Sequence, residues 1–183
     1  MIELTDLTEE HRWQVLDWRN DPDVAPYMYH SEPITREVHD LWFTRLLEAR
    51  DHLGWAVLMD GRPVGAAFVS GIDTANSRAS WAFYLADSST RGRGVGSAVE
   101  YLVLEKAFTE LRLHKLCCEV LSFNQAVVTM HTKFGFVQEG LLREHRRRDG
   151  GWLDVHVLAM FESTWAQRRT EFGDRLRGRG LVA

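Results

Sequence analysis

The chain has 183 residues, 45% apolar and 26% charged, with a formal charge of −4. That length supports one well-covered core and is too short for two ordinary domains, while the mild acidity gives no whole-chain case for nucleic-acid binding. No apolar signal core opens the sequence and no apolar run reaches membrane-spanning length, so a cytoplasmic protein without a membrane partner is expected. Cys117 and Cys118 are adjacent on one expected strand and face opposite ways, which favours free thiols over a disulfide; no His/Cys cluster supplies a metal site.

In chain order, Ile2 to Leu7 reads as a strand, and Glu9 to Arg19 as a helix offering Trp13, Val15 and Leu16 to the core. It stops at Asn20-Asp21-Pro22-Asp23, where Pro22 blocks continuation. Ala25 to His30 is aromatic without periodicity, a loop with side chains to present. Thr35 is placed to cap a second helix, with Glu37 in its first turn and Val38, Leu41, Trp42 and Leu46 as its buried face. Trp55 to Met59 and Pro63 to Val69 are strands joined by Asp60-Gly61, and a turn over Asp73 to Ser77 leads to the aromatic strand Ala79 to Leu85. A glycine-rich turn then precedes a helix in which Val95, Ala98, Val99, Leu102 and Val103 recur at helical spacing. Strand Leu116 to Leu121, helix Gln125 to Lys133 and strands Val137 to Leu142 and Trp152 to Met160 follow, the last pair joined at Asp149-Gly150-Gly151. From Glu162 the chain turns polar and rich in arginine. A domain over 1–165 with a frayed, solvated tail over 166–183 is expected, and the mixed pattern predicts an α+β fold.

The turn Thr90-Arg91-Gly92-Arg93-Gly94-Val95-Gly96-Ser97 carries the first chemical signal. Closely spaced glycines let backbone approach an anion, and the first N–H groups of a helix lack partners of their own. With the helix dipole and the charges of Arg91 and Arg93, this is a phosphate cradle. It is not a P-loop, because no Gly-Lys-Ser/Thr follows, and it lies too far along the chain for a Rossmann fingerprint. Arg91-x-x-Gly94-x-Gly96 resembles the pyrophosphate signature of the GNAT superfamily of acyl-CoA-dependent N-acyltransferases. The second half of that pattern is here too: a short strand, Asn124, a helix, and Gly135-Phe136 starting the next strand. The resemblance implies the GNAT fold, a mixed central sheet with helices on both faces, and acetyl-CoA as acyl donor. It places the backbone of Phe83, Tyr84 and Leu85 along the cofactor's pantetheine arm, the diphosphate on Arg91 to Ser97, and Asn124, His131 and Lys133 on the cofactor side.

Transfer from a thioester to an amine requires the cofactor to be held, the amine to be deprotonated and the thiolate to be stabilised or protonated. For the last task the family usually has a Tyr seven residues after the Asn; here that position is His131. Its imidazole either donates the proton or simply packs on the cofactor or lies near solvent. Glu119 is the carboxylate to deprotonate the amine: on a central strand with both faces covered, an ionised side chain is costly unless it is bonded or meets substrate, the alternatives being a structural bond to a backbone group or simple exposure on a splayed strand. His39, on the second helix near where an acceptor enters a GNAT fold, is the other candidate.

Over nearly the whole chain to Phe161, segments such as Trp18-Arg19-Asn20, Tyr27-Met28-Tyr29, Glu119-Val120 and Asp154-Val155 resemble the pseudaminic-acid-pathway N-acetyltransferases. Those enzymes acetylate the 4-amino group of a UDP-linked 4-amino-4,6-dideoxy sugar. The resemblance implies that Arg19, Met28, Tyr29, His39, Trp42, Tyr84 and Glu119 line the acceptor side, where aromatic rings pack on a sugar or uracil face and Arg pairs with a diphosphate. Acetyltransferases of ribosomal-protein N-termini, polyamines and aminoglycosides share much of the pattern, and a natural-product amine also stays open. So does a non-catalytic acyl-CoA sensor, since the usual Tyr is missing. Oligomeric state is open as well, with a homodimer among the alternatives.

Overall fold

The computed structural model describes residues 1–183. At Asp60 and Gly61 the backbone takes φ of 53° and 76°, the pair of positive values that a two-residue hairpin matched to strand twist requires. It joins strands β2 (His52–Met59) and β3 (Arg62–Asp73), and β1 (Ile2–Asp6) adds to the outer edge of β2. Strand β4 (Arg78–Leu85) continues the antiparallel run. A second hairpin, with Asp149 and Gly150 at φ 50° and 80°, joins β6 (Val137–Arg148) to β7 (Gly151–Phe161). Strand β5 (Lys115–Leu121) links the halves, giving the order β1-β2-β3-β4-β5-β7-β6.

Every pairing is antiparallel except β4 with β5, which run parallel and pair only through Arg78–Ser80 and Lys115–Cys117. Beyond Ser80 and Cys117 the two strands part. The parting opens the middle of the sheet.

Helices α1 (Arg12–Asn20) and α2 (Arg36–Glu48) cover one face, where Val15, Phe43 and Leu46 meet Leu7 and Ala56. Thr35 caps α2, its hydroxyl accepting from the Val38 N–H at 3.4 Å. The expected buried face of α2 is corrected. His39, Phe43 and Leu46 point inward, whereas Val38 and Leu41 are each 61% exposed and Trp42 stands half out. Trp13 of α1, expected in the core, is 41% exposed and lies under the Arg36 guanidinium.

On the other face, α3 (Val95–Glu105) buries nearly its whole circumference and continues into a π-helical turn at Lys106–Glu110. Helix α4 (Gln125–Phe134) follows β5. The chain after Glu162 is not frayed. Helix α5 (Glu162–Arg177) buries Trp165, Phe172 and Leu176, and the Trp165 indole donates to Glu105 Oε1 at 2.9 Å. Phe172 stacks on Phe134 of α4, centroids 4.1 Å apart. Beyond α5, the Leu181 carbonyl accepts from the Ile2 N–H and Val182 is buried. Arginines dominated the composition here, but their apolar neighbours recur at helical spacing and decide the packing. Phe172→Ala is therefore expected to cost about 3–4 kcal/mol and to lower the melting temperature by roughly 10 °C, read by thermal denaturation; a frayed segment would show no shift.

Candidate active site

Past Ser80, β4 has no partner on its β5 side, and past Cys117 the same holds for β5 toward β4. The gap is a cleft of about 540 Å³ walled by Trp81, Ala82 and Phe83 from β4 and by Cys118 to Leu121 from β5. Asn124, Val127 and His131 also line it, as do Arg19, Tyr27, Met28 and Tyr29. A second cavity of about 490 Å³ adjoins it, sharing Arg19 and His30 and reaching Glu32, Thr35, His39 and Trp42.

The parting of the strands gives Glu119 the exposed environment of a splayed strand in place of a covered one. β5 is open along its β4 side at this point, and the carboxylate lies exposed in the cleft, where the Tyr29 hydroxyl donates to Oε2. Burial, then the hydrogen bond to Glu119, raises the Tyr29 pKa, and the phenol keeps its proton for that bond. Tyr29 is itself held from above: the Arg146 guanidinium lies 3.8 Å from its ring centroid, and Arg148 donates to the Pro26 and Met28 carbonyls. Both arginines are on the part of β6 beyond Leu142, where the sequence Arg143 to Arg148 has no apolar alternation to mark a strand.

His131 is buried at 3% exposure, and its Nδ1 lies 2.9 Å from Oε1 of Glu100, a carboxyl group with no exposure at all. Trp81 and Phe136 pack their rings around the imidazole. Its other nitrogen, Nε2, has no partner in the protein and is not sealed off, and the residue lines the cleft. Glu119 and His131 thus share one cavity. His39 does not join them. It is 1% exposed, its Nε2–H donates to the Arg12 carbonyl at 2.6 Å, and burial lowers its pKa. Its place is the wall of the second cavity, beside Trp42.

Arg19 reaches both cavities, and its Nε is buried without a partner. The Tyr84 side chain departs from its expected place on the acceptor side. Its side chain packs with Val24 and Ala66 in the core, its hydroxyl has no partner, and burial raises its pKa. Leu85 packs against the main core; Phe83 of the same strand does line the cleft. Lys133 is exposed at the end of α4, its carbonyl accepting from Arg168, away from the cleft.

The glycine turn abuts this cavity. A Cβ on Gly96 would stand 3.4 Å from Met130 Sδ and 3.7 Å from Phe83 Cζ, so the first turn of α3 rests on the cleft wall. Gly94 caps α3 at φ 82°. The N–H groups of Gly94, Val95, Gly96 and Ser97 have no acceptor in the protein. Arg91 is paired with Asp23 at 2.8 Å. The charge poised over the turn belongs to Arg179, past the end of α5: a Cβ on Gly94 would lie 2.9 Å from its Nη1, and its Nη2 donates to the Arg93 carbonyl.

Residues 2–137 match the family model described as an acetyltransferase (GNAT) domain. The chain belongs to the GNAT acetyltransferases. Among curated relatives, it is 29% identical over 109 residues to the probable N-acetyltransferase YjcK of Bacillus subtilis, which covers 60% of each chain. It is 31% identical over 120 residues to the SPbeta prophage-derived uncharacterized N-acetyltransferase YokL of the same organism, covering 65% of this chain and 67% of that one. The spermidine N-acetyltransferase of Vibrio cholerae, solved with CoA and spermine, superposes at TM-score 0.84 with 20% identity over 90% of this chain and 98% of its own, a likeness of fold.

GNAT acetyltransferases use acetyl-CoA, and the residues present fit it. Four consecutive unpaired amides at a helix start, with the Arg179 guanidinium beside them, form a site for a diphosphate. The unpartnered edge of β4 beyond Ser80 offers free backbone groups to an amide-bearing arm.

Proposed function

We propose that the protein transfers the acetyl group of acetyl-CoA directly to the primary amine of a small molecule. The observation that carries this reading is the cleft opened by β4 and β5, with the glycine turn against its wall and Glu119 and His131 lining the same space. Glu119, held by Tyr29, takes the proton of the attacking amine. His131, through Nε2, protonates the departing thiolate. Acetyl-CoA supplies the activated acyl group.

For the acceptor, the leading class is an amine bearing anionic and planar groups, foremost a nucleotide-linked 4-amino-4,6-dideoxy sugar. Supporting it are the unpaired Nε of Arg19 and the ring surfaces of Tyr27, Tyr29 and Trp42, with Glu119 and Glu32 the carboxylates along both cavities. A polycation would be better matched by walls with an excess of carboxylates. The fold likeness to a spermidine acetyltransferase makes polyamines the second reading.

Free-thiol release from acetyl-CoA, measured across UDP-aminosugars, polyamines, aminoglycosides and N-terminal peptides, tests both. Selective turnover of a UDP-4-amino sugar is expected. Turnover confined to spermidine or spermine would reassign the acceptor, and tight acetyl-CoA binding with no turnover of any amine would replace the enzyme with an acyl-CoA sensor.

A further inference from the structure

Glu100 is the one acidic residue on the buried surface of α3, flanked by Val99 and Tyr101 and without exposure to solvent. An ionisable group in such a place is costly unless something compensates it, and its sole hydrogen-bond partner is His131, through Oε1. Its second oxygen, Oε2, is buried with no partner. A carboxylate would leave charge on that bare oxygen; a neutral acid would not. Burial also raises the Glu100 pKa, in the same direction. The other groups around the pair bring no charge: β5 contributes the buried Cys118 thiol, kept protonated by burial, and Trp81 and Phe136 contribute rings.

We infer that Glu100 is a positioning residue that makes His131 a proton donor: the two form a buried proton-sharing dyad whose transferable proton sits on Nε2, facing the cleft. The inference rests on the acetyl-transfer reading and extends it. With Glu100 protonated, its O–H donates to Nδ1, which fixes the tautomer with hydrogen on Nε2. When the tetrahedral adduct collapses, the carbon–sulfur bond breaks with its electron pair on sulfur, and the Nε2 proton passes to that sulfur to give the free thiol. The Glu100 proton moves to Nδ1 in the same event, leaving Nδ1–H bonded to a carboxylate in place of a buried imidazolate. The amine proton leaves on Glu119. After product release Glu119 loses it to solvent and the dyad takes one up, so the turnover balances as thioester plus amine to amide plus thiol. A lone imidazole in this pocket would have neither a fixed tautomer nor a second proton to move.

Glu100→Gln separates the two roles, because an amide still donates to Nδ1 but cannot pass a proton on. It is expected to lower kcat on the order of 100-fold, within the range of a lost general acid, with acetyl-CoA affinity by calorimetry and the melting temperature little changed. In a His131→Phe background the same substitution should cost nothing further. An equal fall in both backgrounds, or no fall in either, would overturn the dyad. Nitrogen NMR of histidine-labelled wild-type protein needs neither a variant nor an acceptor: titration with free CoA should shift Nε2 of His131, whose Nδ1 signal reports the shared proton. An Nε2 resonance indifferent to CoA would also overturn the dyad, whereas a clear shift with no amine turned over would count against acetyl transfer alone.

Discussion

Glu119→Gln is expected to lower turnover about 10²- to 10⁴-fold, the usual contribution of a positioned general base, while acetyl-CoA affinity measured by calorimetry stays within error. The amide keeps the shape of the side chain and its bond with Tyr29, and loses only the capacity to accept a proton. The cofactor cradle, on a different element, is untouched. Tyr29→Phe separates holding from reacting. Removing one hydrogen bond to a charged group costs about 1.5–3 kcal/mol, so a fall of roughly 10- to 100-fold is expected with the carboxylate still present. Normal turnover of Glu119→Gln across pH, measured by free-thiol release, would exclude Glu119 as the base and leave water as the proton acceptor.

What could be read from the sequence follows from which signals are local. The hairpin at Asp60-Gly61 and the left-handed turn at Gly94 are set by residue type, and both are where the residues put them. Helix α2 shows the limit of periodicity. Val38, Leu41, Trp42 and Leu46 make one apolar stripe and Phe43 with the same Leu46 another, and nothing local says which meets the sheet. The choice falls to the stripe containing His39, which can be buried because the Arg12 carbonyl accepts its N–H. Glu119 was recognisable as an anomaly on an apolar strand, but its exposure depends on β4 and β5 separating after three residue pairs, a tertiary event. Glu100 was equally anomalous, a single acid in the run Val95 to Leu104, and its spacing alone does not disclose His131 as its partner. Arg146 and Arg179 had no such signal: each lies among other arginines, and only the fold selects the one that reaches the site.

Gly94→Trp should abolish measurable acetyl-CoA binding by calorimetry. At φ 82° the residue is left-handed, a conformation that costs an L side chain roughly 1–2 kcal/mol, and its Cβ alone would meet the Arg179 guanidinium at 2.9 Å. An indole projecting from that point takes the space in front of the free amides of Gly94 to Ser97. Several hydrogen bonds to an anion, each worth about 1.5–3 kcal/mol, would then be lost together, so affinity should fall at least about 100-fold. Two comparisons separate blockage from general damage. Gly61→Ala imposes the same kind of backbone strain at φ 76°, where a Cβ meets nothing within 4 Å, and should lower stability while sparing binding. Arg179→Ala leaves the amides open and removes one exposed charge, for an expected loss of affinity of about fivefold. If Gly94→Trp binds acetyl-CoA as well as the parent protein, the diphosphate does not lie on the turn from Arg91 to Ser97, and the α3 dipole has no part in holding it.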